Sequence, residues 1–96
     1  MFEHKKVKAG RKIIEGISIG LQAKSFVLLR GSKGYVMCGY LDLRTAEKFQ
    51  DAAVKITGVA SVKDALNASV HSCTSAARKL GVRKGQPVRD ILSLIA

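Results

Sequence analysis

Hydrophobic positions in the first forty residues alternate: Ile13, Ile17, Ile19 and Leu21 share one parity, as in an extended chain whose side chains point in turn to two faces. Ala9-Gly10 and Arg30-Gly31-Ser32-Lys33-Gly34 interrupt this pattern with turn-forming residues. The simplest reading is four strands in two hairpins. The runs 25–30 and 35–41 carry apolar residues at both parities, which predicts strands covered on both sides, by helices or by another subunit.

Beyond Leu41 the period lengthens. Leu43, Ala46 and Phe49 recur at helical spacing behind Asp42, whose carboxylate suits a helix start, so a helix is predicted over 43–50. Residues 52–57 form a short β-branched run. Ser61-Val62-Lys63-Asp64 resembles a capping box opening a helix to about Asn67. Residues 70–73 read as a strand, and Thr74 caps a helix carrying Ala76, Ala77 and Leu80 that Gly81 stops in a left-handed conformation. Pro87 suits the first position of a last helix, where Val88, Ile91, Leu92 and Ile95 form one apolar stripe. The predicted order is ββββαβαβαα. This is an α+β domain over residues 1–96 in which N-terminal β-hairpins form a mixed sheet with helices packed on it.

Composition sharpens this picture only in places. A chain of 96 residues, 47% of them apolar, can bury roughly two-thirds of its unfolded surface, so covering an apolar face with a second copy would add to a modest core. The longest apolar run, residues 26–29, is far short of a membrane span, and the Lys/Arg-rich start lacks the apolar stretch of a signal peptide. Cys38 and Cys73 show neither CxxC spacing nor a disulfide-dense pattern, which predicts free thiols in the reducing cytoplasm. The net charge of +10 admits anionic partners, although such a balance speaks to solubility before specific function. A nucleic-acid contact through Lys5, Lys6, Lys8, Arg11 and Lys12 would be electrostatic and salt-sensitive, because three Phe and two Tyr offer few stacking platforms.

Candidate chemistry is sparse. Cys38 lies near Gly34 and Gly39, where a ligand or a backbone can approach closely, but free cysteines are most often small buried hydrophobes. Its strand parity, shared with Val36 and Tyr40, predicts a buried thiol that alkylates slowly in the native state. Cys38, Asp42, His71 and Cys73 could be assembled on paper as metal ligands, yet they contain only one i, i+2 pair, and no metal or cofactor is expected. Asp42, Asp64 and Asp90 fall at helix starts, where their charge favours the helix dipole, while Glu15 in a strand could face a basic residue of another chain. Two glycine-bearing basic turns, 30–34 and 81–85, could present N–H groups and cations to a phosphate, although neither is a P-loop. Lys33-Gly34-Tyr35 and Tyr40 match part of the RNA-recognition-motif signature, but Met37, Cys38 and the order of elements exclude that family.

The segment Lys33-Gly34-Tyr35-Val36-Met37-Cys38-Gly39-Tyr40-Leu41-Asp42 resembles the hallmark of the YunC-like family, bacterial and archaeal domains of unknown function. Ala46-Glu47-Lys48-Phe49, Asp51-Ala52-Ala53, Thr57-Gly58-Val59, and residues 74–81 with Gly85 follow in the family's order, so the resemblance spans about residues 13–96 and is weakest over 1–12. It implies a mixed α+β domain whose N-terminal strands mediate homo-oligomer formation, and it implies no activity. His71 and Cys73 stand where the family pattern has ordinary strand residues. The resulting expectation is an oligomeric domain binding a small anion at a subunit junction, with Lys33, Tyr35, Cys38, Gly39, Tyr40, Arg83 and Lys84 as candidate contacts. A cysteine-dependent enzyme centred on Cys38 and a non-specific nucleic-acid binder are the alternatives.

Overall fold

The computed structural model describes residues 2–96. Strands β1 (Phe2–Ala9), β2 (Lys12–Gly20), β3 (Ser25–Arg30) and β4 (Tyr35–Met37) precede helix α1 (Leu43–Lys48). They are followed by β5 (Ala53–Lys55), α2 (Val62–Leu66), β6 (Ser72–Cys73), α3 (Ser75–Lys79) and α4 (Val88–Ile95). The order is the one the hydrophobic pattern predicts. All six strands form one sheet in the order β1-β2-β3-β4-β5-β6. Only β4 and β5 pair in parallel, because α1 carries the chain back across the sheet between them.

The two sheet faces differ. Ile14, Val27, Leu29, Val36 and Val54 point into a core closed by Val62 and Ala65 of α2, Ala77 of α3, and Val88, Ile91, Leu92 and Ile95 of α4. Gly16 of β2 lets α2 come close, since a Cβ there would stand 2.7 Å from Val62 Cγ1. On the opposite face, Ala46 of α1 packs on Ala53 and Leu41, with Tyr35 and Met37 at the margin. That helix covers only the β4–β5 end. Over β1–β3 the register aligns Phe2, Ile19 and Phe26 in one row, and His4, Ile17, Leu28 and Met37 in the next. Phe2 and Ile19 are exposed and Ile17, Phe26 and Leu28 half-buried, so among the described residues nothing packs across this outer face. The double-sided apolar runs predicted cover on both faces; β4 has it, between α1 and the inner core, whereas β3 has it within one chain only on the inner face.

Element boundaries show where local rules yield. Helix α1, predicted over 43–50, stops at Lys48, and Phe49, which shares the helical spacing of Leu43 and Ala46, is 74% exposed. The cause is a C-terminal cap built without glycine: Gln50 adopts φ +61°, its N–H donates to Glu47 O, and the Asp51 N–H donates to Ala46 O. Pro87 sits one residue before α4 rather than in its first turn, because a short β-bridge to Ser69 holds it extended at ψ 138°. Strands β5 and β6 are shorter than the runs 52–57 and 70–73 predicted. The cap residues Asp42, Ser61 and Thr74 and the stop at Gly81, φ +109°, stand where expected.

Thr74 does more than cap. Its buried hydroxyl donates to Asp51 O at 2.6 Å while accepting from Ala53 N at 3.0 Å and from Ala77 N at 3.3 Å, so one side chain joins the start of β5 to the start of α3. Replacing it by the isosteric valine leaves these backbone groups without that partner in a dry environment. Thr74→Val is therefore expected to lower unfolding free energy by about 2–4 kcal/mol, and Thr74→Ser by less than half of that, in urea denaturation monitored by circular dichroism.

Candidate ligand-binding site

The region around Cys38 follows from how β4 ends. In the β3–β4 ladder the position after Leu28 and Met37 pairs Val27 with Cys38, and Cys38 N–H duly donates to Val27 O at 3.1 Å. The return bond is replaced. Val27 N–H donates to Cys38 Sγ at 3.3 Å, while the Cys38 carbonyl accepts from Leu41 N–H at 3.0 Å. The sulfur thus stands in for its own carbonyl, which is released to close the turn 38–41. Sγ also lies 3.9 Å from Ser25 O, a weak donor contact. Cys38 is only 3% exposed, as its strand parity predicts. Tyr40 departs from that parity: it lies in the turn, 51% exposed, because the strand is already over at Met37.

This turn forms one wall of a hollow of about 700 Å³, whose other walls are the β2–β3 loop 21–25 and the loop 57–60 after β5. Leu21, Val59 and Tyr40 supply apolar surface; Ser25 and Thr57 carry hydroxyls; Lys24 is the only charged lining residue among the described residues. Gly39 opens the floor, since a Cβ there would meet nothing within 4 Å. Of the candidate contacts, Cys38, Gly39 and Tyr40 come together here. The loops 21–25 and 57–60 were not assigned to a site from sequence; Thr57-Gly58-Val59, with Gly58 at φ +70°, was the only legible sign of the second.

The remaining candidates lie elsewhere. Lys33 belongs to a turn whose N–H groups are mostly engaged: Gly31 N donates to Gly34 O, and Lys33 N and Gly34 N both donate to Ile95 O, at 2.9 and 3.2 Å, and cap the end of α4. A Cβ on Gly31 would collide with that same carbonyl. Tyr35 donates its hydroxyl to Asp51 Oδ2 at 2.8 Å. Arg83 and Lys84 line a separate hollow with His71 and Cys73. Glu15 does not await another chain: it pairs with Arg30 across the β2–β3 ladder and with His4 at 2.9 Å, and these bonds, that to Arg30 foremost, hold its carboxyl below the usual range. Asp42 is engaged by Thr45 and Arg44, whose donors likewise lower its pKa, Thr45 first. Among the described residues no group of three or more His, Cys, Asp or Glu is placed to hold a metal ion.

Comparison with known proteins places these features in a family context. A family model described as "Domain of unknown function (DUF1805)" matches residues 37–95, which include the β4 end, the turn 38–41 and all four helices. The uncharacterized protein YunC of Bacillus subtilis (strain 168) is 30% identical over 80 residues, covering 79% of either chain. The crystal structure of a protein of unknown function, TA1206 from Thermoplasma acidophilum, matches at TM-score 0.95 with 31% identity, over 100% of this chain and 94% of that one.

Three measurements test the geometry. Native Cys38 should alkylate slowly with iodoacetamide and the half-buried Cys73 faster, as read by peptide mass spectrometry, with both reacting rapidly once denatured. Cys38→Ala removes the acceptor for the Val27 N–H and should cost about 1–3 kcal/mol, which Cys38→Ser recovers in part. Tyr35 should ionise at about 12, raised above 10.0 by burial and then by the Asp51 carboxylate. Because the folded state holds this proton more tightly, the contribution is complete below pH 10 and is lost as pH rises towards 12. An ultraviolet titration should show this late ionisation vanish in Tyr35→Phe.

Proposed function

The chain belongs to the DUF1805 family, domains of unknown function, and from that premise we propose that it is a self-associating binding domain that holds a small molecule at the rim of a subunit junction. One observation carries this reading: the bare outer face of β1–β3 and the hollow adjoin at the β2–β3 loop. The row Phe2, Ile19 and Phe26 lies one residue pair from the β2–β3 loop, whose Leu21, 51% exposed, lines the hollow together with the exposed Tyr40. A second copy laid over the outer face would stand at the mouth of the hollow. Exposed apolar surface of this kind is the ordinary signature of an interface. Face packing is favoured over pairing at the open edge of β1, because Lys5, Lys6 and Lys8 along that strand oppose edge-to-edge addition.

Among the described residues Lys24 alone brings a charge to the hollow, so the matching ligand is a small, largely apolar molecule with one anionic group. Binding is favoured over cysteine catalysis because the Cys38 sulfur is engaged by Val27 N–H and neither histidine lines this hollow to act as a base. Two free thiols support a reducing compartment, the cytoplasm, and no helix among the described residues is long and apolar enough to cross a membrane.

Light scattering at micromolar concentration in ordinary salt should return a dimer or larger assembly. Leu28→Glu and Ile17→Glu, on the outer face away from the helices, should give folded monomers. A wild-type monomer under those conditions would overturn the assembly. For the hollow, native mass spectrometry of freshly purified protein should detect a bound small molecule whose occupancy falls in Gly39→Leu, a bulky substitution at a lining position where an added Cβ would meet nothing within 4 Å. A ligand-free wild type that also fails to bind fatty or aromatic carboxylic acids would remove the binding reading.

A further inference from the structure

The hollow holding Arg83 and Lys84 is independent of the first one and of self-association. It measures about 610 Å³ and is lined by His71, Ser72, Cys73, Arg78, Arg83 and Lys84, with no carboxylate among them. The ion pairs of the described residues join His4 and Arg30 to Glu15 and Lys5 to Glu3, and none reaches this place. Glu47 feels Arg78, but its carboxylate accepts from Ser75 N at 2.8 Å and forms no ion pair with that guanidinium. Three cations are therefore gathered in one concavity that no carboxylate lines, an arrangement that favours an entering anion.

The guanidinium is also oriented. Arg83 Nη1 donates to Arg78 O at 2.9 Å and to Val82 O at 2.8 Å, and the Arg83 N–H donates to Gln86 Oε1 at 2.5 Å. These bonds fix one side of the fork against the end of α3. They leave Nε and Nη2, the pair whose hydrogens lie parallel and fit two oxygens of one oxyanion. His71 Nδ1 lies 3.0 Å from Ser72 Oγ, so its Nε2 remains for a ligand. The main-chain N–H groups of this turn are mostly engaged, Gly81 with Arg78 O and Gly85 with Val70 O, so recognition falls to side chains.

We propose that this hollow binds the phosphoryl group of a small molecule, with Arg83 as a two-pronged donor and Arg78 and Lys84 balancing the charge. Capping of α3 alone would require Arg83 Nη1 but none of Lys84, His71 or the concavity. The test is a titration of the isotope-labelled full chain, followed by amide NMR, with inorganic phosphate and with glycerol phosphate as separate arms and sodium chloride at matched ionic strength as control. Saturating shifts confined to residues 71–73, 78 and 83–84 are expected, tighter for whichever source the site evolved to hold. Arg83→Lys, which removes the fork, and Lys84→Gln, which leaves the α3 cap intact, should each weaken binding by roughly tenfold with unchanged melting temperature for Lys84→Gln. Non-saturating shifts spread over Lys5, Lys6 and Lys8, an equal response to chloride, or unaltered affinity in Lys84→Gln would overturn the proposal.

Discussion

The sulfur that replaces a carbonyl at the end of β4 is the constraint from which the rest of the architecture follows. With Val27 N–H satisfied by Cys38 Sγ, the chain can leave the sheet after Met37 without stranding a buried donor. The freed carbonyl closes the turn to Leu41, and that turn delivers Asp42 as the cap of α1. Helix α1 then lands over β4 and β5, on the face opposite α2 and α4, and returns the chain for the one parallel pairing in the sheet.

Because α1 occupies only the β4–β5 end of the outer face, the two sides of the sheet have different fates. The inner side is sealed by three helices, and polar side chains reinforce it from beneath: Glu3 accepts from Val62 N–H at the start of α2, and Ser18 donates to Ala60 O at 3.4 Å. The outer side keeps its apolar rows over β1–β3, interrupted by the Glu15, Arg30 and His4 cluster that is already satisfied within the chain. Hydrophobic free energy scales with the apolar area removed from water, so this bare face is where further stabilisation is available to the protein.

The two glycine-bearing basic turns show how similar local chemistry diverges once a neighbour is present. In the turn 31–34, the N–H groups of Lys33 and Gly34 both meet the Ile95 carbonyl at the end of α4, and Lys33 sits at the negative end of that helix. Those two N–H groups are thus engaged within the chain. In the turn after α3, one face of Arg83 performs a similar capping service, while the rest of the guanidinium, Lys84 and Arg78 face an open concavity. Composition alone ranks the turns as equals.

Strand and helix order, the caps at Asp42, Ser61 and Thr74, the stop at Gly81 and the stripe of α4 were legible in the sequence, because each rests on interactions within a few residues. The burial of Cys38 was legible for the same reason, through strand parity. Three features were not. The end of α1 at a left-handed Gln50 carries no glycine to announce it, and the extended conformation of Pro87 depends on a bridge to Ser69. The hollow joins residues near 21, 38 and 58, which are distant in the chain and meet only through the pairing of β2, β3, β4 and β5. Local chemistry determined what each segment is. Where the strands stop, which face a helix covers and which loops share a cavity were decided by long-range pairing, whose cost and reward appear in no local stretch of sequence.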